Sequence, residues 1–233
     1  MKFNLYYDVM NGYSDNFREP IELKEDDSTE DDPYTIYEDY PNENGAFLRN
    51  HGCGLIAYTD FRLYIENSNH SFDAETYASE IEASLDDVEV TGLGVPFKDI
   101  CSAIEDIGSE SFTASYDNIL SQDGLIQRIE SMLRNDIPVI ASYSSLNTSG
   151  ESIDEYTLNY NGESYFVDRI IGSFSGHWFV VTGIIYDNIS NEPLLRIANG
   201  SGQQTYIQLN DYCEHMESNA WLSSIMTGVI NVR

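Results

Sequence analysis

Apolar positions along this chain recur with a helical period in the first half and a strand period in the second. Between residues 54 and 65, Leu55, Tyr58, Phe61, Arg62 and Ile65 fall near helical spacing, with Ile56 and Leu63 widening the stripe. Residues 73–85 repeat the pattern through Tyr77, Ile81, Ser84 and Leu85. Pro96 stands where a first-turn proline belongs, followed by Phe97, Ile100, Cys101, Ile104 and Ile107, and Gly108 closes that helix. A fourth helix is predicted over residues 122–135, through Leu125, Ile126, Ile129, Met132 and Leu133.

Past residue 136 the pattern changes to short β-branched and aromatic runs. Strands are predicted at 138–144, at 156–160 and 163–167 around the Asn161-Gly162 turn pair, and at 178–186, 194–198, 205–209 and 225–232. Helices followed by strands imply an α+β fold in one domain over 1–233: a helical lobe at about 46–135 packed against a C-terminal antiparallel sheet at about 136–233. Residues 1–45 read as a short strand at 3–7 followed by loop, including the acidic run at 25–32. A site is expected in the cleft between the lobes.

Charge narrows the partners. With 40 acidic against 11 basic side chains the formal net charge is -29, which argues against nucleic acid and anionic membrane. Solubility accounts for such a surface; a cationic peptide substrate or partner is the sharper expectation. No run of 18 apolar residues is present and the first residues lack a signal-peptide pattern, so no membrane insertion and a cytoplasmic location are expected, or secretion if a leader is missing. The three cysteines, Cys53, Cys101 and Cys213, have neither disulfide-framework nor metal spacing. They are expected to be free, with Cys101 on a buried stripe and Cys213 in a loop without a role. No cofactor or metal is implied.

Two stretches carry candidate chemistry. In Asn50-His51-Gly52-Cys53-Gly54-Leu55, a cysteine between two glycines opens a helix. Free N–H groups and the macrodipole there favour an anion, so the position is expected to lower the thiol pKa. The glycines are expected to let a substrate backbone approach the sulfur. In Gly176-His177-Trp178-Phe179-Val180-Val181-Thr182-Gly183, a histidine opens an otherwise apolar strand. A thiol nucleophile needs a base, and the base needs an orienting partner. If 178–186 and 194–198 form a hairpin, Asn199 emerges beside His177 at its open end. His51 reads as a loop-surface residue.

A cysteine before a helix, a Gly-His-aromatic strand and the Asn-Gly-x-Gly that follows residue 198 resemble the papain-like cysteine peptidases. The resemblance is nearest to the bacterial branch that removes double-glycine leaders from bacteriocin precursors, and it spans roughly 44–209. It implies hydrolysis of a peptide or amide bond through a thioester on Cys53, with His177 as base and then acid and Asn199 holding the imidazole. The same triad serves acyl transfer to an amine, and the fold also serves non-catalytic binding. One departure stands out: Phe47 occupies the place where the family carries an oxyanion glutamine, six residues before the cysteine. That leaves Asn50, or Asn44, to supply the amide beside the Cys53 backbone N–H.

Overall fold

The computed structural model describes residues 21–22, 48, 51–66, 74–108, 111–117, 121–144, 156–160, 163–168, 176–186, 193–198, 205–210, 212–213 and 228–233. Its elements run β1 (Ile21–Glu22), α1 (Cys53–Ile65), α2 (Ala74–Ser84), α3 (Phe97–Ile107), β2 (Ala114–Asp117), α4 (Gln122–Arg134), β3 (Val139–Ser144), β4 (Tyr156–Tyr160), β5 (Glu163–Asp168), β6 (Gly176–Tyr186), β7 (Pro193–Ala198), β8 (Thr205–Gln208) and β9 (Gly228–Val232). The fold is mixed α+β.

α1 is the central helix. Leu55, Ile56, Ala57, Tyr58, Thr59, Phe61 and Leu63 are all buried, far more than one face, so protein packs around most of it. Polar links fasten α2 to it. The Thr59 hydroxyl lies 2.9 Å from Ser84 Oγ, the Tyr77 hydroxyl donates to Asp60 at 2.6 Å, and the Arg62 guanidinium meets Glu80 at 2.7 Å. α3 follows Pro96, which occupies the cap position (φ -64°, ψ 135°) rather than the first turn; its ring suits either place because neither needs its missing N–H. Ser121 caps α4 by accepting from the Gly124 N–H.

The strands form one sheet, ordered β2-β9-β3-β6-β7-β8-β5-β4, with β1 on β6. β6 is its axis: β3 pairs along residues 176–181, β7 along 180–186, and β1 takes the edge at 183–184 where β3 has ended. Leu55, Phe61, Ile100, Ile104, Ile129, Val139, Ile140, Val181, Leu195, Val229 and Ile230 contribute to one buried cluster that joins helices and sheet.

Three expectations change. The sheet is not wholly antiparallel, because β5 and β8 run parallel, Val167 facing Tyr206. The segment before residue 135 is not purely helical: β2 leaves that half to pair with β9, Ala114 facing Val232 and Tyr116 facing Ile230. Four residues with partly exposed Ala and Tyr give too weak an alternation to stand out in sequence. Cys213 is buried in a helical turn instead of lying in a loop, and Cys101 is only partly buried. The expected strand at 3–7 and the acidic run at 25–32 lie outside the described residues. Among the described residues no helix is long and apolar enough to cross a membrane.

Candidate functional site

The site is built where the start of α1 meets β6. Leu48 and His51 belong to a helical turn ahead of α1, and the Gly52 N–H closes it on the Leu48 carbonyl at 2.6 Å. A Cβ on Gly52 would stand 2.4 Å from that same oxygen, so only glycine fits. A Cβ on Gly54 would stand 2.8 Å from Val95 Cβ and 3.0 Å from Trp178 Cδ1. The glycines therefore serve a different purpose from the expected one. The space beside them is filled by the protein's own atoms: Gly52 permits the tight turn onto Leu48, and Gly54 permits the close seating of α1 on β6 and on the Val95 segment.

That seating fixes Cys53. The residue as a whole is half-buried but its thiol is desolvated, and three backbone N–H groups bear on it: those of Trp178, Gly54 and Cys53 itself. All three favour the thiolate, the last two being the free N–H groups of a helix start. Burial outweighs them and pushes the thiol up from its ordinary value of 9.0. The expected lowering is thus reversed, because desolvation of the charged form exceeds what the N–H groups return.

The Trp178 N–H belongs to the peptide group that joins it to His177, so the sulfur lies on the backbone immediately after the candidate base. Along β6 the side chains alternate. Trp178 turns toward α1 at Gly54, whereas the His177 ring lies beside that of Phe179, centroids 6.3 Å apart, and Phe179 in turn meets the edge of Tyr212. β3 stands across from this end, Tyr143 facing His177 and Ser142 facing Trp178. The β6–β7 hairpin forms as expected, its last described pair being Val180 with Ala198. Asn199, the next residue, and Asn50, Asn44 and Phe47 lie outside the described residues.

Two features escaped the sequence reading. Trp178 is more than the residue after a histidine: its N–H reaches Cys53 and its ring stands 6.3 Å from Tyr116, which stacks on Phe97 at 4.4 Å. The second is the Thr91–Gly94 turn, whose backbone closes in both directions at 2.9 Å with Gly94 at φ 92°. It brings Val95 onto Gly54 and flanks His51, which is half-buried rather than a loop-surface residue. Gly92 and Gly94 were the only available signal for it.

Neither the known protein families nor the curated proteins yield a match to this chain.

Proposed function

We propose that this protein is a cysteine peptidase of papain-like fold, with Cys53 as nucleophile, His177 as base and Asn199 as the group that orients the imidazole. One observation carries the reading: the Cys53 sulfur sits at a helix start and receives the N–H of the peptide that follows His177. In the proposed reaction the His177 ring, which strand alternation sets on the other face of β6 from Trp178, turns round the strand end to take the thiol proton while the sulfur attacks the substrate carbonyl. The C–N bond then breaks, the amine leaves with that proton, and water hydrolyses the thioester to the free acid. Because burial holds the thiol protonated, His177 must take the proton as attack proceeds rather than rest as a preformed ion pair. The N–H groups aimed at the sulfur are the natural donors for the oxyanion, with Asn50 as the proposed side-chain donor.

The same upward shift favours a second reading, a binding domain that keeps the fold without turnover. A peptidyl acyloxymethyl ketone probe separates the two. Labelling confined to Cys53 and lost on His177→Ala supports the peptidase; labelling spread over all cysteines, or unchanged by His177→Ala, refutes it. Added amines in a turnover assay then distinguish hydrolysis from acyl transfer.

A further inference from the structure

A groove of about 540 Å³ opens between the segment after α2 and the start of α3. Its floor is apolar: Leu48 and Val88 are almost fully buried, and Val90 and Leu85 extend it outward. Its rim is acidic, formed by Asp86, Asp87, Glu89 and Asp99, and among the described residues no lysine or arginine lines it. Leu48, on the floor, is bonded through its carbonyl to Gly52, so the groove shares a wall with the turn that leads into Cys53.

The large apolar side chains exposed among the described residues gather on this same stretch. Leu85 is 37% exposed, Leu93 90% and Phe97 41%. Leu93 is not a frayed tip. Its N–H is held by Thr91 Oγ1 at 3.2 Å, and that hydroxyl donates to the Gly94 carbonyl at 2.7 Å. A braced turn that holds a leucine in water, three residues after the groove-lining Val90, is a feature a docking surface requires.

We infer that this groove takes the basic, apolar-flanked segment of a peptide substrate and leads it toward Cys53. The inference rests on the peptidase reading and names its substrate class. Charge complementarity selects the occupant: four carboxylates ring an apolar floor on a chain that is itself strongly anionic, so an acidic segment is repelled and a lysine or arginine with a neighbouring apolar residue fits both parts. The alkyl stem of the basic side chain covers the floor while its charge reaches the rim.

The test uses the full chain carrying Cys53→Ser, so that binding is read apart from turnover, and a fluorescein-labelled peptide of alternating Lys and Leu. Fluorescence anisotropy should show binding that weakens with added salt and that falls about fivefold in Asp86→Asn/Glu89→Gln, as two exposed ion pairs at about 0.5 kcal/mol each require. The remote variant Asp123→Asn, on α4, should leave binding unchanged, and an alternating Glu-Leu peptide should not bind. The inference is overturned if Asp123→Asn weakens binding as much as Asp86→Asn alone, which would mean net charge only, or if a Gln-Leu peptide binds as well as the basic one. Failure of the parent chain to cleave the basic peptide, with groove-dependent binding intact, would instead count against the peptidase reading alone.

Discussion

Replacing Gly54 by alanine should unseat α1 from β6 while leaving every reacting group, the Gly54 N–H included, in the chain. The new methyl carbon would stand 2.8 Å from Val95 Cβ, 3.0 Å from Trp178 Cδ1 and 3.1 Å from Val95 Cγ2. Carbon–carbon contacts prefer about 3.5–4.0 Å, so each overlap is on the order of 0.5 Å or more. Val95 Cβ belongs to the rigid base of its side chain and cannot swing aside. Overpacking of this kind costs about 1–3 kcal/mol, against which alanine returns about 1 kcal/mol of helix propensity. A net loss of up to about 2 kcal/mol corresponds to a fall in Tm of up to about 8 °C for a chain of this length. Circular dichroism melts measure it. Gly92→Ala is the internal comparison, since a Cβ there meets nothing within 4 Å, and its Tm should stay within about 1–2 °C of the parent. Iodoacetamide labelling of Cys53 should also quicken in Gly54→Ala, because the sulfur is exposed as the helix moves out. Equal melting temperatures for the two variants would refute the close-seating argument.

Other consequences are simpler to state. In the parent, alkylation of Cys53 should keep rising above pH 9, since burial holds its thiol above 9.0; a rate that levels off near pH 7 would show the opposite shift. Burial, helped by Glu105 and Asp117, pushes the Cys101 thiol up to about 11. A folded-state pKa above the unfolded one stabilises below pH 9 and is lost as pH rises toward 11, so the urea midpoint should drop over that window and drop less in Cys101→Ala. The fully buried Tyr212 hydroxyl sits 2.9 Å from the Ser142 carbonyl and 2.7 Å from that of Gly228, tying β3 to β9. Tyr212→Phe should therefore cost about 1–3 kcal/mol in denaturant unfolding.

Helices were legible because their buried faces are long and regular. Residues 122–135 read as a helix through Leu125, Ile126, Ile129, Met132 and Leu133, and all of these but Ile126, which is half-buried, form its buried set. The β6–β7 hairpin was legible for a related reason, two apolar runs separated by a short polar connection. β2 was not, since four half-exposed residues carry no period, and neither was the insertion of β9 between β2 and β3, which joins segments more than 80 residues apart. For the site, the sequence marked Cys53 and His177 as residue types at suggestive places.

The sequence by itself determined the four helices and the longer strands, the anionic character of the surface, and that a cysteine opens a helix and a histidine a strand. These are local properties, carried by period, composition and neighbours. Tertiary structure decided what those residues meet. It filled the space beside Gly52 and Gly54 with protein atoms, laid the sulfur on the peptide after His177, and buried the thiol enough to reverse its expected shift. Desolvation depends on everything packed around an atom, and no stretch of sequence carries that sum.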